Sequence, residues 1–361
     1  MSWQLLCVAQ ILAVTSVMTL HVLVRTLGIH GGTERFTHGF VQWAVQNGHS
    51  ICVHSVRVEN PIDGITHQPI PIYTRGRFLK MAELDYRLQQ RAKELHDPQI
   101  CMVRGGASPI YRAGGGCHAH WMAKRPWTVG DALERHIDQR VCHHAQTIVV
   151  NSQRSISLLD RHYGIDPRKC ILLRNGVDIM HFTNQGDVER PHAPTMIFVG
   201  HDFRRKGLDI TLKWLQLLPE WCLWVMGSDP NARYYQRLAE AMGVHQRVRW
   251  LGRVDEPAYW LRSATVCVLP TRYDPAANVC LEALACGTPV VTSTENGASE
   301  LLWEDWMIRD LKQSDGIVDV FSHLLELHSD LSNHARTVAM QHTASKCYEK
   351  LWAIGLQTGE A

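Results

Sequence analysis

Apolar and polar positions follow two periods along this chain. Short apolar runs, His21-Val-Leu-Val24, Ile51-Cys-Val-His-Ser-Val56, Ile100-Cys-Met-Val103 and Thr147-Ile-Val-Val150, predict strands. Longer mixed stretches at Phe78–His96 and Val129–His144 predict helices. Between the first two strands, Leu27-Gly-Ile-His-Gly-Gly-Thr-Glu-Arg-Phe36 is a glycine loop running into a helix that ends near Gly48. Strand, glycine turn, helix, strand is the opening of a doubly wound sheet. After Leu173-Arg-Asn-Gly-Val-Asp178 the chain turns out, and Asn184 to Pro194 is polar with two prolines and a glycine, which predicts a linker. Met196-Ile-Phe-Val199, Leu223-Trp-Val-Met226, Val248-Arg-Trp-Leu251 and Val266-Cys-Val-Leu269 then alternate with helical stretches, giving a second parallel sheet.

At 361 residues the chain has the length of two domains at about 150 residues each, and 45% hydrophobic content supports real cores. The net charge of +2 hides an asymmetry: residues 1–180 hold 20 Lys/Arg against 13 Asp/Glu, residues 181–361 hold 17 against 22. The first half is therefore expected to face an anion, although a basic face beside an acidic one is also ordinary solvated surface. Arg75, Arg77, Lys80, Arg87, Arg91 and Lys93 fall in one segment that suits a phosphorylated glycolipid at an anionic membrane surface. Its aromatic interleaving is not that of a nucleic-acid binder. Eleven scattered cysteines without a C-x-x-C pair point away from a disulfide framework and toward a reducing cytoplasm. Residues 1–20 are apolar and uncharged, with no Lys or Arg before the apolar run and with Gln4, Gln10, Thr15 and Ser16 interrupting it, which makes a poor export signal. Met18 opens an ordinary first strand, so residues 1–17 are expected to be an extension.

Candidate chemistry concentrates in Leu269-Pro-Thr-Arg-Tyr-Asp-Pro-Ala-Ala-Asn-Val-Cys-Leu-Glu-Ala-Leu-Ala-Cys-Gly-Thr-Pro-Val-Val-Thr292, which sets Asp274 and Glu282 eight positions apart across a strand-to-helix junction. Pro270 to Ala277 reads as a loop and Asn278 to Cys286 as a helix closed by Gly287. A helix start offers unpaired N–H groups and partial positive charge, which suits a diphosphate. An ordinary βα unit with a solvated Glu282 has the same local pattern. Gly200-His-Asp-Phe-Arg-Arg-Lys-Gly207 follows a strand and opens a helix, placing Arg205 and Lys206 where cations meet phosphate oxygens or simply solvent. No Asp-x-Asp occurs, so two side-chain cations and a helix start are expected to compensate the leaving-group charge without a metal. The 21 histidines offer another reading: Cys117, His118 and His120, with Cys142-His-His144, as a zinc site, although consecutive residues on a helix diverge.

The acidic segment resembles the E-x7-E signature of the retaining glycosyltransferases of family 4, which have the GT-B fold. The variant Tyr-Asp-Pro-x-x-Asn followed by Leu-Glu-Ala-x-Ala-x-Gly-x-Pro is most similar to the lipopolysaccharide core branch, as are Asp202-Phe-Arg-Arg-Lys-Gly207 and Tyr111-Arg-Ala-Gly-Gly-Gly-Cys-His118. The resemblance implies an α/β fold of two Rossmann-like domains whose parallel sheets face across a cleft: residues 18–188 on the acceptor side and 189–339 on the donor side. A C-terminal helix, about 340–361 within the apolar pattern Leu331 to Leu356, returns to the first domain. It implies transfer of a hexose from a nucleotide sugar, UDP-glucose first, to a lipopolysaccharide core or related glycan, a glycolipid or oligosaccharide, by a metal-independent enzyme at the inner face of the cytoplasmic membrane, with no cofactor and no nucleic acid.

By resemblance, Arg205 and Lys206 hold the diphosphate, Glu282 the ribose hydroxyls and Asp274 a donor-sugar hydroxyl. Ala277 and Asn278 lie at the helix start facing the donor. Gly31 and Gly32 of Gly31-Gly-Thr-Glu34 bring backbone to the donor phosphate and the acceptor, and His118 approaches the donor sugar. Gly297 and Glu300 resemble the loop that closes the nucleotide pocket. This chain departs from the pattern with Asp274 where Glu is usual, Pro275 and Ala277 where glycines are common, and Gly115 where relatives carry Asp. A GT-B scaffold without activity is the corresponding alternative.

Overall fold

The structure, a computed structural model, describes residues 18–29, 31–304, 307–310 and 316–357; the extension expected over residues 1–17 lies outside them. Two compact units form. The first takes the described residues up to Arg112, His136–Thr147 and the residues from Leu351 on; the second takes Ala113–Arg135 and Ile148–Lys350.

In the first unit the strands run parallel in the order Thr66–Pro69, Ile51–Ser55, Leu20–Leu23, Gln99–Cys101, Ile110–Arg112. Leu20–Leu23 is central, and Leu20, Val22 and Leu23 are fully buried, as a strand covered on both faces requires. The helix Gly32–Gln46 buries Phe36, Phe40, Val41 and Ala44, one amphipathic stripe. From the C-terminal residues, Trp352 stacks on His49 with ring centroids 4.3 Å apart and tilts against Phe40 at 6.5 Å.

In the second unit six parallel strands run in the order Val248–Gly252, Cys222–Met226, Thr195–Val199, Val266–Leu269, Val290–Ser293, Ile308–Arg309. The two middle strands are apolar apart from Thr195 and buried on both faces, with Phe198, Phe203, Leu208, Leu212, Leu281 and Ala285 in the same core. From Thr195–Val199 the chain winds outward through two strands, then crosses back to Val266–Leu269 and winds the other way. The order therefore reverses between these two strands. Loops at the carboxyl ends of such a pair open a crevice that no crossover helix covers, which is where open α/β sheets bind ligands. Those loops are Gly200–Gly207 and Pro270–Ala277.

The apolar pattern Leu331 to Leu356 proves to be two helices, His328–Gln341 and Ala344–Leu356. Between them Val177 donates to the His342 carbonyl at 2.9 Å and accepts from the Ala344 N–H at 2.8 Å, so one residue of another segment satisfies both backbone groups at the break.

Gly207 shows how tightly the crevice loops are fitted. Its φ is +85°, and a Cβ there would lie 2.0 Å from the Pro270 carbonyl oxygen. Gly207→Ala is expected to cost the left-handed strain of about 1–2 kcal/mol plus the displacement of the Pro270 loop. Gly243→Ala, at φ +70° with no atom within 4 Å of the new methyl, should cost the strain alone. Urea denaturation of both variants checks this: equal losses at the two positions contradict the fit.

Candidate functional site

The loop after Thr195–Val199 folds into one short helix, Phe203–Lys206. Asp202, the one non-glycine residue at positive φ (56°) among those described, caps it by accepting from the Arg205 N–H at 3.1 Å. Asp229 accepts from the Phe203 N–H at 2.7 Å, and Gly207 ends the turn in the left-handed region. The turn is stitched to the Pro270 loop: the Arg205 carbonyl accepts from the Arg272 N–H at 2.7 Å and from Thr271 Oγ1 at 2.8 Å. Arg272 in turn forks onto Asp209 with bonds of 2.8 and 2.7 Å.

This stitching brings three of the sequence candidates together. Asp274 Oδ2 accepts from Lys206 Nζ at 2.7 Å and from Arg205 Nη1 at 2.8 Å, and Arg205 Nη1 also reaches the Tyr273 carbonyl at 3.1 Å. Asp274 and Lys206 are buried. Burial opposes charge on Asp274, yet the Lys206 ammonium and the Arg205 guanidinium overcome it and hold its carboxyl below the usual carboxylate range. Arg205 Nε also pairs with the exposed Asp202, 3.3 Å from its Oδ2. The two cations therefore answer one buried and one solvated carboxylate, and an incoming phosphate would compete with solvent-exposed Asp202 for Arg205.

The helix Asn278–Ala285 begins at Ala277, whose N–H donates to Asn296 Oδ1 at 3.2 Å. Asn296 is fully buried, and the same Oδ1 accepts from the Ala298 N–H at 3.1 Å while its Nδ2 donates to Thr292 Oγ1 at 2.9 Å. Asp274 joins this knot through its backbone, donating to the Glu295 carbonyl at 3.1 Å and accepting from the Gly297 N–H at 2.9 Å. A Cβ at Gly297 would fall 1.9 Å from the Pro275 carbonyl oxygen, so only glycine lets the two loops approach. Glu282 is buried one turn into the helix. A shallow open pocket is lined by Asn151, Arg174, Asn175, Ala277, Asn278 and Gly297 among others. Asn175 Nδ2 donates to Asn278 Oδ1 at 2.6 Å on its wall. Ala277 and Asn278 line this pocket; Arg205, Lys206, Asp274 and Glu282 do not.

The segment Glu295–Glu300 carries ion pairs that the sequence did not reveal. Glu295 accepts from Lys124 Nζ at 2.9 Å, from His120 Nε2 at 3.3 Å, and from Arg154 Nη2. Glu300 accepts from Arg174 Nη1 at 2.7 Å and from the N–H groups of Gln153 and Arg154 at 3.0 and 2.8 Å, which seals the start of the helix Gln153–Tyr163. These partners lie 126 to 175 positions away, beyond any local pattern.

His118 is buried between carboxylates, with Nε2 3.4 Å from Asp131 and Nδ1 3.5 Å from Glu134. His120 faces His162 and Glu295. Neither Cys117, His118 and His120 nor Cys142 to His144 places three ligand atoms together among the described residues, because these side chains are committed to other neighbours; the zinc reading fails there. Gly31, at φ 107°, precedes the helix that Gly32 opens in the first unit, and a Cβ on it would press on Glu34.

A family model described as Glycosyltransferase Family 4 matches residues 30–181, and one described as Glycosyl transferases group 1 matches residues 193–326. The chain is 29% identical over 189 residues to the D-inositol 3-phosphate glycosyltransferase of Jonesia denitrificans, covering 44% of this chain and 43% of that protein. It is 32% identical over 118 residues to the lipopolysaccharide core biosynthesis glycosyltransferase LpsE of Rhizobium meliloti, 33% of either chain. The match thus spans less than half the length of these two curated relatives. Among solved structures, WaaG, a glycosyltransferase involved in lipopolysaccharide biosynthesis, superposes with TM-score 0.79 at 19% identity, over 93% of this chain and 99% of that one. Anabaena Alr3699/HepE in complex with UDP-glucose superposes with TM-score 0.71 at 15% identity over 93% and 99%. Both likenesses show the fold.

Glu295 sets an acid limit on this geometry. Burial raises its carboxyl, but hydrogen bonds from His120 and Lys124 and the charge of Arg154 bring it down to about 2. A depressed carboxylate stabilises the fold above its unfolded value, near 4.5, and that contribution disappears as pH falls toward 2. Glu295→Gln is therefore expected to be less stable than wild type at pH 7, with the gap closing between about 4.5 and about 2. Urea titrations across that range check it. A pH-independent gap contradicts the pairing.

Proposed function

We propose that this chain, which belongs to the GT-B glycosyltransferases, is a retaining, metal-independent hexosyltransferase that moves a hexose from a nucleotide sugar, UDP-glucose first among candidates, to a lipopolysaccharide core or related glycan. The observation that carries this reading is the pair of cations, Arg205 and Lys206, set around Asp274 in the crevice where the strand order of the second sheet reverses. The domains of the proposal are residues 18–188 for the acceptor and 189–339 for the donor.

In the proposed reaction Arg205 and Lys206 turn their positive groups to the diphosphate and stabilise it as the bond from anomeric carbon to phosphate oxygen lengthens. The backbone N–H groups near Ala277 and Asn278 add the partial charge of a helix start. Glu282 accepts hydrogen bonds from both ribose hydroxyls, a bidentate role that suits a carboxylate. Asp274 orders the two cations through one oxygen and offers the other to a donor-sugar hydroxyl. Gly31 and Gly32 supply backbone close to phosphate and acceptor, and His118 approaches the donor sugar. The acceptor oxygen then attacks from the face the diphosphate is leaving. Its proton passes to the departing β-phosphate oxygen, so configuration is retained and atoms balance without a protein nucleophile. Gly115 supplies no acid, consistent with proton transfer carried by the substrate.

No helix of the described residues is long and apolar enough to cross a membrane. The helix Arg77–Glu94 and the turn before it combine Arg75, Arg77 and Lys80 with exposed Tyr73, Phe78 and Leu79. The proposal assigns this mixture of cations and apolar rings to an anionic membrane that presents the acceptor at the cytoplasmic face.

Glu282→Ala and Lys206→Ala should each remove most transfer, by at least tenfold in kcat/KM, with unfolding midpoints that still report a folded protein. Near wild-type turnover in both sinks the site; donor binding without transfer in wild type favours an inactive scaffold. EDTA should leave transfer intact. Sedimentation with phosphatidylglycerol vesicles at low salt should carry the protein down, and added salt should release it. Equal sedimentation with phosphatidylcholine vesicles contradicts the electrostatic part.

A further inference from the structure

Two neighbouring strands of the first sheet, Leu20–Leu23 and Ile51–Ser55, bring two imidazoles and a thiol to one point. Parallel register sets His21 opposite Cys52, and His54, two residues further along, shares the face of Cys52. His21 Nδ1 lies 2.8 Å from His54 Nε2, Cys52 Sγ lies 3.6 Å from the same nitrogen, and the three donor atoms all fall within 4.8 Å of one another. Cys52 and His54 are buried, while the His21 side chain keeps 13% of its surface open and borders the exposed Asp97. Asp97 Oδ2 is 3.5 Å from His21 Nε2, the ring nitrogen that points away from the cluster. A carboxylate behind a histidine fixes its tautomer and raises the basicity of the other nitrogen, the outer arrangement that accompanies metal-binding histidines.

We propose that His21 Nδ1, Cys52 Sγ and His54 Nε2 form a Zn²⁺ site with an open fourth position. The donor set is that of zinc: two imidazoles and a thiolate. Zinc–nitrogen bonds of about 2.0–2.1 Å in a tetrahedron keep two ligand nitrogens roughly 3.3 Å apart, so the rings of His21 and His54 part by a fraction of an ångström on binding.

Without the ion the same residues make a relay. Arg91 Nη1, a donor only, faces His54 Nδ1 at 3.5 Å, which places the His54 proton on Nε2 and directs it to His21 Nδ1. Zinc binding moves that proton from Nε2 to Nδ1 and releases the Cys52 thiol proton to solvent. His54 Nδ1–H then confronts Arg91, which keeps its other partner, Glu94 Oε2, 3.4 Å from Nε. Arg91 is thus the antagonist of the site. His67 lies on the neighbouring edge strand and accepts from or donates to Ser55 Oγ at 3.0 Å, outside the ligand set.

Cobalt(II) is the probe: it takes zinc sites and reports a thiolate ligand by a charge-transfer absorption band. Added to the full chain under reducing conditions after chelator treatment, one equivalent should give this band, and Zn²⁺ should abolish it. Cys52→Ser should remove the band, His54→Gln should weaken binding at least tenfold, and Arg91→Gln should tighten it. Absence of a thiolate band, or one that persists in Cys52→Ser, overturns the site and assigns any binding to other histidines. Should Cys52→Ser not fold by circular dichroism, Arg91→Gln decides: unchanged or weaker cobalt affinity overturns the proposal. None of these residues belongs to the proposed donor site and the readout is a spectrum, so this proposal and metal-independent transfer stand or fall separately.

Discussion

One buried carboxylate shared by two cations governs the second unit. Asp274 has little solvent to compensate its charge, and Lys206 and Arg205 replace that solvent with contacts of 2.7 and 2.8 Å. Removing one member of such a group strands a charge in a poorly solvated place, which costs about 3–5 kcal/mol, far more than the group gains over an apolar substitute. A protein with stability as its sole constraint has no reason to keep the arrangement. What the triad supplies is position: two cations whose side chains are fixed by Asp274, one of them also paired with the exposed Asp202, at the mouth of a parallel sheet.

Backbone fit makes that placement possible. Gly207 lets the first loop pass the Pro270 carbonyl, and Gly297 lets the third loop pass the Pro275 carbonyl. Between them Asn296 ties Ala277, Ala298 and Thr292 with one buried amide. The helix start at Ala277 is consequently held by a side chain from another loop, where most helices use their own cap residue. Glu295 and Glu300 extend the same loop to Lys124, His120, Arg154 and Arg174, so a segment of six residues joins three other stretches of the chain. These pairs are partly exposed, and their role is geometric more than energetic.

The architecture was legible because its strands are the kind that sequence shows well. Parallel strands buried on both faces are near-continuous apolar runs, and Thr195–Val199, Cys222–Met226 and Val266–Leu269 coincide with such runs; Val248–Gly252, at the edge and interrupted by exposed Arg249, is still marked by Val248, Trp250 and Leu251. Thr66–Pro69 does not: its four residues are exposed, one is proline, and it pairs on one side only, so no hydrophobic period marks it. Two-residue strands such as Ile308–Arg309 are too short to carry any period. In the site, the helix over Asn278–Ala285 and the cations of Gly200–Gly207 were readable from turn chemistry. That Asp274 sits between Arg205 and Lys206, 69 and 68 positions away, was not, since only the crossover of the sheet brings them together. The cluster of His21, Cys52 and His54 escaped for the same reason: each residue sits in an apolar strand, and pairing register alone aligns them.

The central claim is that side-chain cations and a helix start, with no metal ion between, hold a nucleoside diphosphate. Its direct measurement is the ratio of UDP to uridine affinity by titration calorimetry in EDTA, for wild type and for Arg205→Ala with Lys206→Ala. The account predicts that wild type prefers UDP by at least tenfold, and that the double substitution removes the preference while uridine affinity stays the same. An EDTA-sensitive preference, or one that survives loss of both cations, contradicts it.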